Sequence, residues 1–121
     1  MKKVLIVEDE AALQDALKQA FTADGYEVSQ AFDGEEGMKM VKDIKPDIVL
    51  LDLILPKKHG FEVLQEIKAD PATKDLPVLI LTNLEESTEV MKAIELGARG
   101  YLIKANYALK EVLAKVKDIL G

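Results

Sequence analysis

The stretch IVLLD, residues Ile48–Asp52, decides the fold. Its first four residues form a continuous apolar run, which is typical of a strand buried on both faces of a parallel sheet. Two similar runs, Val4–Val7 and Val78–Leu81, lie before and after it in the chain. Because a sheet that is buried on both faces needs helices on both sides, these runs predict an α/β protein.

The segments between the apolar runs carry apolar residues at helical spacing, which predicts helices. Asp33 is the predicted N-cap of one of them, and Gly25 and Gly97 are predicted to follow helix ends. We predict strands at Val4–Val7, Tyr26–Ala31, Ile48–Leu51, Val78–Leu81 and Tyr101–Ile103. The predicted helices run over 10–24 and 34–44, around 61–67 and 90–96, and over 107–120. This (βα)5 alternation predicts a mostly parallel sheet with right-handed crossovers.

Composition limits the class of protein. The chain has 121 residues, so we expect one domain over residues 1–121. It contains no cysteine, which excludes disulfides and thiolate metal sites. The net charge of −6 argues against direct nucleic-acid binding, which needs clustered basic residues. No apolar run approaches the roughly 20 residues of a membrane span, and acidic residues follow Val4–Val7 too soon for a signal peptide. We therefore expect a cytoplasmic protein.

Polar residues stand where the predicted strands end, which is the edge at which doubly wound sheets carry their function. Glu8 and Asp9 follow the first strand, Asp52 the third, Thr82 the fourth and Lys104 the fifth. Each residue alone is an ordinary polar group at a strand end. Because adjacent strands lie about 4.8 Å apart, all five can reach one site.

The chemistry of this set favours phosphoryl transfer. Three neighbouring carboxylates repel one another, and a hard divalent cation with oxygen ligands offsets that repulsion. Mg²⁺ suits the set better than Zn²⁺, because the chain has no cysteine and only one histidine. The ammonium group of Lys104 adds a second positive charge. A cation, an ammonium group and a carboxylate nucleophile are the components needed to form an aspartyl phosphate.

The set and its order along the chain closely resemble the receiver domains of bacterial two-component response regulators. Three motifs carry the resemblance: VEDE at residues 7–10, DLILP at 52–56 followed by Gly60, and GARGYLIK at 97–104. The resemblance covers nearly the whole chain. It implies a flavodoxin-like, doubly wound sheet of five parallel strands in the order 2-1-3-4-5, with helices on both faces.

The resemblance also implies a role for each site residue. Asp52 would accept the phosphoryl group, and Asp9 and Asp52 would ligate Mg²⁺ directly. Glu8 would act on the metal through water, and the backbone carbonyl of Ile54 would be a further ligand. The protein would be a signalling phosphoacceptor, catalysing only its own phosphorylation and dephosphorylation.

The remaining implied roles concern the response to phosphorylation. Lys104 would pair with the phosphoryl group, Thr82 would move toward it, and Tyr101 would turn inward. The alternative for Tyr101 is an ordinary edge-strand aromatic. The phosphoryl donor would be a sensor histidine kinase or a phosphotransfer protein. A downstream protein would bind the face formed by the fourth helix, fifth strand and fifth helix, and the chain would be a monomer or weak homodimer.

Two positions depart from the commonest family pattern. Ala105 stands where proline is usual, so a trans Lys104–Ala105 bond is expected, because a cis bond would cost about 2.5–4 kcal/mol. Asn83 is bulkier than the usual small residue.

Two other functions stay open. The chain could instead be an engineered or degenerate receiver-like interaction scaffold. A Mg²⁺-dependent hydrolase of the aspartyl-phosphate type is the other alternative, although the sequence has no insertion long enough for a cap. His59 is interpreted as a solvated loop residue.

Overall fold

A five-stranded parallel sheet forms the centre of the structure, a computed structural model that describes residues 1–82, 88–103 and 109–121. The strand order is β2-β1-β3-β4-β5, which confirms the predicted order 2-1-3-4-5. The strands are β1 (Lys3–Val7), β2 (Glu27–Ala31), β3 (Ile48–Asp52), β4 (Val78–Thr82) and β5 (Gly100–Ile103). The helices are α1 (Ala11–Ala23), α2 (Gly34–Ile44), α3 (Gly60–Ala69), α4 (Thr88–Glu95) and α5 (Leu109–Leu120).

The strand register brings the carboxyl ends of the central strands to one edge. Val7 of β1 is level with Leu51 of β3, so Glu8 and Asp52 are the next residues along each strand. Asp52 is level with Leu81 of β4, and Thr82 follows directly. The polar residues that the sequence places at strand ends therefore meet at this edge.

Two apolar cores enclose the sheet, one on each face. Val49 and Leu51 of β3 face the core under α2, α3 and α4, whereas Ile48 and Leu50 face the core under α1 and α5. All four side chains are fully buried. This burial on both faces explains why the strand is apolar at every position rather than at alternate ones.

Element boundaries agree with the sequence prediction to within about two residues wherever the structure describes them. Asp33 caps α2 as predicted, since its Oδ1 accepts a hydrogen bond from the backbone N–H of Glu36 at 2.8 Å. The predicted start of the last helix, at Tyr107, lies outside the described residues. Within residues 1–82, 88–103 and 109–121, no helix combines the length and apolarity needed to cross a bilayer.

Candidate functional site

Three carboxylates meet at the carboxyl edge of the sheet and form what we call the acidic site: Glu8, Asp9 and Asp52. One oxygen from each lies within 4.8 Å of the other two. Glu8 is fully buried and Asp52 is 4% exposed, whereas Asp9 is open to solvent. The site therefore has two buried carboxylates and one that is exposed to solvent. Their oxygen atoms are close enough to share a divalent cation.

Hydrogen bonds fix Asp52 and the chain that follows it. The Oδ1 of Asp52 accepts from the backbone N–H of Ile54 at 3.1 Å. Gly60, at the start of α3, donates its backbone N–H to the carbonyl of Leu53 at 2.9 Å. A Cβ atom at Gly60 would lie 1.9 Å from the backbone oxygen of Asp52. The glycine that follows the DLILP motif is therefore required because helix α3 begins against the backbone of the site itself.

The loop between β3 and α3 also packs on the start of α2. Lys57 adopts a left-handed backbone conformation with φ of 66°, and its Nζ lies 3.7 Å from the Oδ2 of Asp33. A Cβ at Gly34 would lie 1.8 Å from the backbone oxygen of Lys58. Helix α2 thus supports the loop that carries Ile54, whose backbone carbonyl is a predicted metal ligand.

A buried glutamine, Gln14 of α1, supports the end of β1. Its Nε2 lies within hydrogen-bond distance of the backbone oxygens of Ile6, Glu8 and Ala31, at 2.9, 3.1 and 2.8 Å. Sequence reasoning missed this residue because glutamine is normally a surface residue. Its spacing from Leu17 and Phe21, three and seven residues on, was the available signal that it lies on the buried face of α1.

The residues predicted to respond to phosphorylation are partly described. Thr82 ends β4 and is fully buried, and Tyr101 lies on β5 with 43% of its side chain exposed. Tyr101 is level with Ile80 and Ile103 is level with Thr82, so Tyr101 and Thr82 leave the same face of the sheet. Lys104, together with Asn83 and Ala105, lies outside the described residues.

The single histidine has a structural contact. His59 is the N-cap of α3, and its Nδ1 accepts from the backbone N–H of Phe61 at 3.3 Å. The side chain is half-buried rather than freely solvated as the sequence interpretation had it. His59 thus caps the first turn of α3, at the end of the loop that follows Asp52.

Comparison with known proteins agrees with this architecture. A family model described as the response regulator receiver domain matches residues 4–117. The DNA-binding dual master transcriptional regulator RpaA of Synechocystis sp. is 38% identical over 120 residues, which cover 99% of this chain and 49% of that protein. The chain therefore spans about half the length of the curated relatives it matches.

Solved structures show the same fold. A CheY-like response regulator receiver domain protein from Methanospirillum hungatei matches with a TM-score of 0.92 at 27% identity, covering 99% of this chain and 94% of that one. The Mn²⁺-bound form of response regulator Rcp1 matches with a TM-score of 0.83 at 33% identity, covering 98% and 91%.

A parallel sheet in this order with an acidic site at its carboxyl edge is the architecture expected of a receiver-type domain, and it matches the fold of the solved receiver domain. With the family match over residues 4–117, the chain belongs to the response regulator receiver family. The resemblance identified from the sequence is thereby confirmed, as is the flavodoxin-like fold.

Proposed function

We propose that this chain is the phosphoacceptor of a two-component phosphorelay and that Asp52 carries the phosphoryl group. The observation that carries this proposal is the placement of Asp52. Its carboxylate is almost fully buried yet lies within 4.8 Å of an oxygen of Glu8 and of solvent-exposed Asp9. Three carboxylates held this close repel one another, and a divalent cation with oxygen ligands would offset that repulsion.

The acidic site fits Mg²⁺, because it offers three closely spaced carboxylate oxygens, the hard ligands this cation prefers. Asp9, Asp52 and the carbonyl of Ile54 would hold the ion directly, with Glu8 acting through water. When bound, Mg²⁺ would supply the positive charge that offsets repulsion between the carboxylates and an incoming phosphoryl group.

The transfer step is a displacement at phosphorus. An oxygen of Asp52 forms a new P–O bond while the P–N bond of a phosphohistidine on the partner breaks, and the histidine keeps the bonding electron pair. The hydrogen bond from the N–H of Ile54 to Oδ1 orients the Asp52 carboxylate for this attack. Hydrolysis of the aspartyl phosphate would return the free carboxylate.

The response would travel from Thr82 to the surface. The Thr82 hydroxyl would donate to the new phosphoryl group and Lys104 would pair with it, after which Tyr101 would turn inward. The shared sheet face of Thr82 and Tyr101 supports this coupling. Exposed apolar side chains on the face formed by α4, β5 and α5 supply a binding surface for a downstream protein: Met91, Ile94, Tyr101 and Leu109.

The proposal extends to the cellular setting. The donor would be a sensor histidine kinase or a phosphotransfer protein in the cytoplasm. The domain would span residues 1–121 and act as a monomer or weak homodimer without contacting nucleic acid. The net charge of −6 supports the last point, because DNA binding needs clustered basic residues.

The phosphoacceptor role is tested by incubating the protein with Mg²⁺ and acetyl phosphate and measuring its intact mass. One phosphoryl group should be gained, and Asp52→Asn should remove the gain because an amide is a poor nucleophile. Asp118→Asn, which changes an exposed carboxylate on α5, is the matched control and should keep the gain. Absence of the adduct with both acetyl phosphate and a phosphorylated kinase would refute the proposal.

A further inference from the structure

The amide of Gln14 is buried at the ends of β1 and β2, where it contacts the backbone of Glu8, a residue of the acidic site. Gln14 is 1% exposed, and its neighbours on the same face of α1 are the fully buried Leu17 and Phe21. Burying an amide among apolar side chains is costly unless its hydrogen bonds are satisfied. A buried amide at this position therefore indicates that its N–H groups make hydrogen bonds that an aliphatic side chain could not make.

The bonds of Gln14 converge on the ends of β1 and β2. Three backbone oxygens, those of Ile6, Glu8 and Ala31, surround its Nε2 at 2.8–3.1 Å. Its own Oε1 accepts from the Nε2 of Gln30 at 3.1 Å. Because all three of these neighbours are acceptors, the NH2 end of the amide must face them, and its two N–H groups are shared among the three oxygens.

These bonds hold Glu8 from both sides. The backbone N–H of Glu8 donates to the oxygen of Ala31 at 3.0 Å, and its carbonyl accepts from Gln14 at 3.1 Å. Only residues 8–10 separate β1 from α1, and they include two of the three carboxylates of the acidic site. The glutamine does this without adding a positive charge that would compete with a bound cation.

We propose that Gln14 is a positioning residue for the acidic site: by tying the carbonyl of Glu8 to the ends of β1 and β2, it sets the affinity of Glu8 and Asp9 for a divalent cation. This inference rests on the proposed function, since it concerns the cation that the phosphoacceptor chemistry uses. Gln14 acts through the backbone of a ligand residue and does not touch the metal.

The test is Mg²⁺ titration of purified Gln14→Met by calorimetry, beside a thermal unfolding curve. Methionine keeps the length and helix propensity of glutamine but removes its donors. We expect Mg²⁺ affinity to fall on the order of 10-fold, the lower end of the range for groups that orient metal ligands. Gln19→Met is the matched control, because Gln19 lies on the same helix but is exposed and bonds to Asp15.

A second control separates positioning from stability. Leu17→Ala opens a cavity one turn along α1 and removes none of the hydrogen bonds of Gln14, so it should lower the unfolding temperature and leave Mg²⁺ affinity within about twofold. If Gln14→Met does not fold, Gln30→Ala replaces it and should weaken Mg²⁺ binding in the same direction by a smaller factor. Mg²⁺ affinity equal to the unsubstituted protein in the folded variant would overturn the role of Gln14 alone. Absence of Mg²⁺ binding by the unsubstituted protein would overturn the proposed function and this role with it.

Discussion

Gly60 shows how a single residue can be required by the site rather than by its own helix. Alanine is preferred over glycine in a helix by about 1 kcal/mol, so propensity alone favours Gly60→Ala. The new Cβ would, however, lie 1.9 Å from the oxygen of Asp52 and 2.7 Å from the Cα of Leu53. Relief of that clash must move the backbone on either side of the acceptor carboxylate.

We therefore predict that Gly60→Ala lowers the free energy of unfolding by about 1–3 kcal/mol, the usual cost of overpacking. It should also slow phosphorylation of Asp52 by acetyl phosphate. Urea denaturation and the rate of mass gain measure the two effects. Gly100→Ala is the control, since its Cβ would meet Leu79 at an ordinary 3.6 Å. A Gly60→Ala protein as stable as the unsubstituted one would show that α3 can shift without strain.

The sequence allows some site residues to be predicted and not others. Glu8, Asp9, Asp52 and Thr82 could be placed because a polar residue directly after an apolar strand marks the sheet edge. Gln14 could not, because its partners are backbone oxygens of two strands, and no sequence pattern shows where those oxygens point. The same limit applies to Gly60, whose motif was recognisable but whose contact with Asp52 was not.

At the scale of elements, the start of α2 combines a helix cap with a surface ion pair. Asp33 caps the helix through Glu36, and its other oxygen lies 3.7 Å from the Nζ of Lys57. The cap is a directional hydrogen bond to the half-buried Asp33 side chain. The Lys57 side chain is largely exposed, and exposed ion pairs contribute little to stability. The cap should therefore contribute more to the free energy of unfolding than the ion pair, although both use the side chain of Asp33.

We predict that Asp33→Ala lowers the free energy of unfolding by about 1 kcal/mol, the usual cost of losing an N-cap. Lys57→Ala should cost less than about 0.5 kcal/mol, and Asp33→Ser, which keeps the cap and removes the charge, should resemble Lys57→Ala. Urea denaturation of the three variants checks the order. Equal losses in Asp33→Ala and Lys57→Ala would mean that the ion pair, and not the cap, stabilises this junction.

Element types could be predicted where the pattern was strong, but their contacts could not. The apolar runs of β1, β3 and β4 indicate buried strands by composition alone. The packing of Gly34 against Lys58 joins the start of α2 to the loop between β3 and α3, 24 residues further along the chain, and nothing in the local sequence of either segment indicates it. Such contacts follow from strand order, which here came from the family resemblance and not from the residues.

At the scale of the whole molecule, the acidic site holds three of the 22 acidic residues behind the net charge of −6, and their closeness adds repulsion in the folded state. Unfolding separates the three carboxylates, so their mutual repulsion is a cost of the folded state alone. A cation that binds only the folded state removes that cost and stabilises it by mass action. Stability and the metal affinity of the site are therefore linked, and one measurement reports on both.

We predict that Mg²⁺ at 100 times its dissociation constant raises the free energy of unfolding by about 2.7 kcal/mol. Asp9→Asn has one carboxylate fewer, so without Mg²⁺ it should be at least as stable as the unsubstituted protein. Its free energy of unfolding should rise little when Mg²⁺ is added. Urea denaturation at constant ionic strength, held with NaCl, separates site binding from general screening of the negative charge. Asp118→Asn removes the same charge from α5, away from the acidic site, and should keep the full gain with Mg²⁺. An equal gain in Asp9→Asn would place the stabilising cation elsewhere on the protein.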